Sequence, residues 1–415
     1  MLGVNIPALP ASLRRTNQRT VISLLLRLGC ASRADLAKAA GISQPTAGKI
    51  TTELLHLGIL QRAGSSLHME ISGAEGPSPR LGRPGQLLRL DDQFPRFLAI
   101  ELGVSETSVS ALPVAVKLED DWAFTFPTPK TPEAWQRELS QLSKKIPRQH
   151  LWAILVSAPG IVDEDRARVL FSPNLHWLET VSLPDLLNEI WDVPVALVQE
   201  IRALALGHLT AEPGGEDFFL VDFGQGVGGA IVIDGQLFSQ PMPISGEFGH
   251  TPVPGNDRPC GCGAVGCLET MVSYRGLLQS FAAAQGVASA HWKQLANHVT
   301  DQGIPPWLLH TLDATAQVIA GAINVLGVHR VVVTGLLADL PPAVVKHLAA
   351  EIQRGAMWAR FGEIRCQSAP HRRAAGLVAA GIDRIVLPAD DDTGALAATP
   401  RSRRPKSKNA VLGRT

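Results

Sequence analysis

Apolar residues recur every three or four positions through the first sixty residues, then give way to short unbroken runs. Val21, Leu24, Leu25 and Leu28 share one face of a helix read from Arg14 to Arg27, and Gly29 ends it. Ser32 is placed to cap a second short helix, RADLAKAA, which stops at Gly41. Ser43 caps a third, QPTAGKITTELLHLG, with Pro45 in its first turn, where a missing N–H costs little. Ile50, Leu54 and Leu57 are its inward positions. Helix, glycine turn, helix is the helix-turn-helix arrangement, whose third helix enters a major groove, although the pattern also fits an ordinary helical bundle. After Gly58-Ile-Leu60 a Gly/Ser/Pro-rich stretch up to Leu90 has a strand-like run on either side, as in a wing.

From Phe97 the texture becomes that of an α/β domain, with β-like runs alternating with helical periods. FLAIELGVSETSVSAL reads as strand, tight turn and strand. Residues 118 to 150 read as irregular and then helical, leading into a strand from Leu151 to Val156. Pro194 to Gly207 reads as a strand feeding a helix. Phe218 to Gly235 reads as a hairpin with Gly224, Gly226, Gly228 and Gly229 at its turn. Residues 271 to 327 are mostly helical in pattern, and Arg330 to Leu337 is a buried strand.

A length of 415 residues fits two or three domains, and 45% hydrophobic content supports a real core. No apolar run reaches bilayer length, and no apolar stretch of the export type opens the chain, so a cytoplasmic protein with no membrane partner is expected. Zero net charge disfavours a purely nucleic-acid-binding chain. The charge is uneven, however. Residues 11 to 62 hold eight Lys or Arg against Asp35 and Glu53, a surplus of six, as expected of a DNA-binding head joined to something else. Gln44, Thr46 and Lys49 are the candidate groove-facing residues, with Ser43 placed to meet phosphate. From Pro388 onward, Asp390 to Asp392 precede a basic tail, read as disordered and able to add nonspecific attraction to DNA.

The densest chemistry lies between Ser245 and Thr270. Cys260, Cys262 and Cys267, three of the five cysteines, are spaced C-x-C-x4-C, and His250 lies ten positions before the first. One imidazole and three thiolates can close a tetrahedral zinc site of the structural type. A disulfide is the competing reading; an odd cysteine count, two cysteines too close to pair comfortably and the expected reducing compartment disfavour it. Cys30 and Cys366 are most simply core thiols. Glu247 and Glu269 bracket the cluster, an arrangement suited to a polyhydroxylated ligand.

This segment resembles the ROK family of repressors and sugar kinases, whose signature pairs E-x-G-H with C-x-C-G-x-x-G-C-L-E. Here the two read Glu247-Phe-Gly-His250 and Cys260-Gly-Cys-Gly-Ala-Val-Gly-Cys-Leu-Glu269. The resemblance implies that Glu247, His250 and Glu269 contact sugar hydroxyls, and that His250, Cys260, Cys262 and Cys267 hold Zn2+. Leu81-Gly-Arg-Pro-Gly85 resembles the wing motif of ROK repressors, which would bring Arg83 to a minor groove. Ser157 to Asp163 is similar to the family's G-x-P-G-x-V-D turn, and Phe171 to Trp177 to an element near the sugar pocket. Within it Asn174 either meets hydroxyls or caps a turn, and capping is the favoured reading.

The nucleotide side departs from the family's kinases. Of D-x-G-G-T-K only Gly103 survives, with Glu101 for the aspartate, Val104 for the second glycine, Ser105 for the threonine and Glu106 for the lysine. A β-branched side chain and a negative charge make a poor triphosphate loop. Gln199 and Glu200 stand for the kinases' Asn-Asp, one methylene longer each, and a displacement of about 1 Å can cost roughly a hundredfold in phosphoryl transfer. Glu200 could still accept from a sugar hydroxyl, or simply sit solvated at a helix start. The glycines from Gly224 match a second phosphate loop, and only Gly335 remains of a double glycine.

The resemblance covers Phe97 to about Leu387. It implies a winged helix-turn-helix domain (11–90), an α/β actin-like (ribonuclease H-like) two-lobed ROK domain with a zinc knuckle (95–388) and a disordered basic tail (389–415). The expected function is a sequence-specific transcriptional regulator, a repressor, that binds operator DNA as a homodimer or homotetramer and senses a sugar or sugar derivative. It is not expected to be an enzyme; the alternative is an active ATP-dependent sugar kinase that kept a DNA-binding head.

Overall fold

The structure is a computed structural model that describes residues 10–63, 86–116, 122–212, 217–238 and 245–387. Arg83, the rest of the expected wing loop and the basic tail lie outside these residues. Three helices open the chain: α1 (Pro10–Leu28), α2 (Arg33–Ala39) and α3 (Gln44–His56). Both expected caps are present. Ser32 accepts from the Asp35 amide in a reciprocal capping box, and Ser43 accepts from the Thr46 amide. The first helix begins four residues earlier than its apolar period shows. Short strands β1 (Cys30–Ser32), β2 (Leu60–Arg62) and β3 (Leu87–Leu90) form an antiparallel sheet with β3 in the centre.

The body repeats one pattern twice. In the first lobe, β4 (Phe97–Leu102), β5 (Glu106–Leu112) and β6 (Ala123–Pro127) form an antiparallel meander. Parallel β7 (Ala153–Ala158) and β10 (Val195–Gln199) then extend the sheet beyond β4. The hairpin of β8 (Ile161–Asp163) and β9 (Arg168–Phe171) follows β7. In the second lobe, β11 (Phe218–Phe223), β12 (Val227–Ile233) and β13 (Gln236–Leu237) form the meander. Parallel β14 (Arg330–Gly335) and β15 (Arg365–Ser368) extend that sheet beyond β11. β6 falls in a stretch read as irregular; as a half-exposed edge strand it lacks the apolar run that marks its neighbours.

Two of the four expected turn glycines are strand residues. The turn itself is Gly224 to Gly226, closed by the Gly224 amide on the Gly226 carbonyl at 2.9 Å. Gly228 and Gly229 belong to β12, where a Cβ on Gly229 would stand 2.7 Å from the Phe219 ring. Close packing, not turn geometry, requires them.

The helices of the body are α4 (Pro132–Leu142), α5 (Leu183–Asn188), α6 (Glu200–Ala211), the single turn α7 (Glu269–Val272), α8 (Tyr274–Gln285), α9 (Trp292–Gln302), α10 (Pro306–Leu326), α11 (Leu336–Asp339), α12 (Pro342–Gly355) and α13 (Arg373–Gly381). After β15 the chain returns to the first lobe as α13, which packs along α6, β4 and β7. The helices touch backbone to backbone. A Cβ on Gly376 would fall on the Ala203 carbonyl, and one on Gly207 on the Arg372 carbonyl, each well inside contact distance.

The head is built onto the first lobe. Val21, Leu25, Leu36, Ile50 and Leu54 of the helices share one continuous apolar core with Phe97, Leu155, Ala203, Leu377 and Ile382 of the body. Arg15 and Arg19 of α1 also pair with Asp383, just beyond α13. None of the described helices is long and apolar enough to cross a membrane.

Candidate functional site

A cleft of about 390 Å³ opens between the lobes. The β4–β5 turn (103–106) and the β11–β12 turn (224–226) face it from opposite sides. Gln199 and Glu200, at the β10–α6 junction, line it together with Asp222, His371 and Arg373. Glu247, His250, Cys262 and Glu269 border it as well, so the cysteine-rich loop lies at its edge.

The loop gathers the four expected metal ligands into one cluster. His250 ends a short 3-10 turn (Phe248–His250), and its Nδ1 is 3.5 Å from Cys260 Sγ; Cys262 and Cys267 sulfurs are 3.8 Å apart. All four donor atoms lie within 4.8 Å of one another, and all five cysteines of the chain are free thiols. A tetrahedron with metal–sulfur bonds of about 2.3 Å has edges of about 3.8 Å. The residues therefore fit a metal ion, and the disulfide reading fails.

Backbone geometry brings the sulfurs together. The Cys260 amide donates to Ala264 at 2.8 Å and the Gly266 amide to Arg258 at 2.9 Å. Gly266 has φ +86°, and a Cβ there would sit 2.6 Å from the Asn256 carbonyl. Two residues that the motif does not contain brace the loop. The Asn256 amide donates to the Cys267 carbonyl at 3.0 Å, and Arg258 reaches the Thr270 carbonyl and Ser280 hydroxyl at 2.9 Å each. Burial, reinforced by hydrogen bonding with Cys262 and Cys260, pushes the Cys267 thiol up to about 12. Burial raises Cys260 too. At Cys262 burial is outweighed by hydrogen bonds from the Ala264 backbone and the neighbouring thiols, so it ionises most readily.

The imidazole of His250 has two faces. With Nδ1 toward the sulfurs, Nε2 is left 3.6 Å from Glu247 Oε2. Glu247 also accepts from the Gln199 amide at 3.3 Å; burial holds its carboxyl above the usual range, with His250 opposing and Glu269 adding to the rise. Glu269 accepts from the Val227 amide at 2.9 Å. Glu247, His250 and Glu269 thus converge on one end of the cleft.

Asn174 lines the cleft too. It is exposed, and no side chain caps the 3-10 turn (His176–Glu179) that follows it, so the favoured capping reading is not what the structure shows. Glu200 reaches the cleft and is partly exposed, yet it is not free: its carboxylate is ion-paired with Arg373. The same guanidinium lies 3.3 Å from Glu101 Oε2. Burial opposes the charge of Arg373, and Glu200, Glu101 and Asp222 outweigh it, so its pKa rises; at Glu101 burial prevails over Arg373 and the carboxyl is raised.

Asp222, His371 and Arg373 escaped the sequence reading. Asp222 is an acid inside an otherwise apolar strand, which is a usable signal. Arg373 follows Glu200 by more than 170 residues and carries none. Asp222 Oδ1 accepts from Thr334 and from His371 Nε2, both at 2.7 Å. Burial would raise Asp222, but the His371 bond and charge and the Thr334 bond leave it depressed, and the same bond to Asp222 raises His371.

That pair sets a pH dependence. Stability from a raised histidine is whole below its unfolded pKa of about 6.5 and falls as pH rises through the folded value; stability from a depressed aspartate is whole above about 3.9 and falls toward acid. The pair therefore helps most between roughly pH 4 and 6.5. Thermal unfolding of His371→Gln is expected to be flatter in pH than wild type on the rising side of that window; identical profiles would contradict the assignment.

In the head, Ser43, Gln44 and Lys49 are exposed on α3 and Thr46 is half-buried. The hydroxyls of Ser43 and Thr46 bond each other at 2.8 Å while Ser43 caps the helix, so Ser43 has a structural duty besides any phosphate contact. Cys30 and Cys366 are only partly buried, and burial pushes the Cys366 thiol up to about 12.

With this geometry in hand, comparison with known proteins is informative. The sequence model of the ROK family matches residues 97–382, more than half of the chain. A xylose repressor of Caldicellulosiruptor bescii is 27% identical over 274 residues, 64% of this chain and 66% of that protein. A glucokinase of Halalkalibacterium halodurans is 28% identical over 219 residues, 50% of this chain and 65% of that protein. The chain thus spans just under two thirds of the length of these curated relatives. Among solved structures, a ROK family transcriptional regulator described as a homologue of the E. coli MLC protein superposes with TM-score 0.68 at 18% identity, covering 89% of this chain and 96% of that one. A Streptomyces griseus glucokinase in complex with glucose and AMPPNP superposes with TM-score 0.56 at 22% identity, covering 68% of this chain and 97% of that one. These likenesses in structure establish the fold.

Proposed function

Starting from the fact that the chain belongs to the ROK family, we propose that it is a sequence-specific DNA-binding transcriptional regulator, a repressor, whose body senses a sugar. The cluster at His250, Cys260, Cys262 and Cys267 holds a structural Zn2+, with all four positions filled by protein. Glu247, His250 Nε2 and Glu269 grip the sugar hydroxyls, with Asn174 at the rim. The winged helix-turn-helix head offers Ser43, Gln44, Thr46, Lys49 and Arg83 to operator DNA. A homodimer or homotetramer would read half-sites about 10 bp apart, or a multiple of that.

One observation carries this reading: the head shares its apolar core with the first lobe, so a sugar that changes how the lobes close must move the helices as well. Catalysis is the weaker reading, although a glucokinase is among the relatives. Val104 and Glu106 line the cleft on the nucleotide side, and Glu200 is held by Arg373. Fluorescence anisotropy with DNA flanking the protein's own gene tests the proposal. Binding should be salt-sensitive and should change when the effector sugar is added. Glu269→Gln should weaken the sugar about tenfold to a hundredfold, the range for a hydrogen bond to a charged group. Sugar-stimulated ADP release at ordinary kinase rates would reverse the ranking.

A further inference from the structure

We infer that the Glu101–Arg373–Glu200 cluster determines ligand class: because the two carboxylates consume the guanidinium between them, the cleft is left to uncharged or amino-bearing polyols and phosphate esters are shut out. This rests on the sugar-binding reading of the same cleft.

The arginine is fixed from both ends. Its guanidinium lies between Glu101 and Glu200, with 15% of the side chain exposed. Its backbone opens α13, which cannot slide while Gly376 and Gly207 hold the α6–α13 crossing at backbone contact. A buried guanidinium with two carboxylate partners is neutralised where it stands, and a third anion gains little from it.

The rest of the lining points the same way. Five carboxylates face the cleft: Glu106, Glu200, Asp222, Glu247 and Glu269. Its arginine and histidines each face an acid, with Arg373 Nε left buried and without a hydrogen-bond partner. Arg373 serves Glu101 and Glu200, His371 serves Asp222, and His250 lies between Glu247 and the thiols. Three backbone amides of the two turns are also used internally. The Gly103 amide donates to the Glu106 carbonyl, the Gly224 amide to Gly226 and the Val227 amide to Glu269, each at 2.9 Å. A dianion entering here meets like charge and no uncommitted cation among the described residues lining the cleft, whereas hydroxyls and ammonium groups find acceptors.

Calorimetric titration of the full chain tests this at constant ionic strength. The probes are glucose, xylose and glucosamine, then glucose 6-phosphate, and separately inorganic phosphate. Wild type should bind at least one of the parent sugars, bind glucose 6-phosphate about a hundredfold more weakly than glucose, and ignore inorganic phosphate. The double variant Glu101→Gln/Glu200→Gln frees Arg373 and should gain phosphate binding, which adding Arg373→Met should abolish. Circular dichroism confirms that each variant is folded. Wild type binding inorganic phosphate, or a folded double variant that gains none, overturns the inference. Silence toward every sugar would sink the sugar-binding reading instead, while the phosphate arm would still decide the role of Arg373.

Discussion

Serine in place of Cys260, Cys262 or Cys267 is expected to remove one stoichiometric zinc and to unfold the loop between Glu247 and Thr270. From Pro254 to Val265 no side chain of that loop is fully buried, so the apolar effect does little to hold it. Asn256 and Arg258 brace its base, but a few hydrogen bonds of about 1 kcal/mol each cannot order a dozen residues. Structural zinc sites contribute roughly 10–16 kcal/mol apparent, as much as a whole domain's net stability of about 5–15 kcal/mol. Metal content should fall from one equivalent to none, protease should cut the loop, and the melting temperature should drop by about 10 °C. Sugar binding should vanish with it, because His250 would lose the bond that turns Nε2 toward Glu247. Acid should release the metal from wild type, since protons compete for the thiolates, and Cys267 holds its proton most strongly. Unaltered zinc content or an unchanged melt in all three variants would rule the centre out.

Gly376→Ala is expected to be the most damaging methyl group that can be added to the α6–α13 crossing. Alanine favours a helix over glycine by about 1 kcal/mol. Here the added carbon would stand 1.7 Å from the Ala203 carbonyl oxygen, so two backbones must part, at a cost on the order of 3–5 kcal/mol. The clash wins. Gly321→Ala supplies the control: it lies on α10 with nothing within 4 Å of the new Cβ, so propensity alone acts and the protein should gain up to about 1 kcal/mol. Opposite signs from one chemical change, read by denaturant unfolding, are the expected result. Parting the helices should also draw Arg373 from Glu200 and Asp383 from Arg15 and Arg19, so Gly376→Ala should loosen both cleft and head. Equal effects at the two positions would show that the crossing is not tight.

Much of this was legible along the chain. The serine caps at Ser32 and Ser43, the three opening helices, the strand pairs and the metal cluster all rest on local spacing. Capping bonds span three residues, and a C-x-C-x4-C loop brings its own sulfurs together. The edge strand β6 was missed because half-exposed strands lack an apolar run. Gly228 and Gly229 were misread because a glycine needed for packing looks, in sequence, like one needed for a turn.

The sequence alone determined most of the secondary elements, the donor set of the cluster and the identity of the carboxylates around it, because these follow from contacts between residues near in the chain. The fold alone decided what those carboxylates face. Glu200 reads as an open acceptor until α13 returns from the second lobe and lays Arg373 against it. Asp222 gains its partner only when His371 arrives 149 residues later. The head reads as a separate module until α1 is found sharing the first lobe's core. Such pairings depend on how two lobes and a returning helix close around one cleft, and no local pattern encodes a distance between residues so far apart.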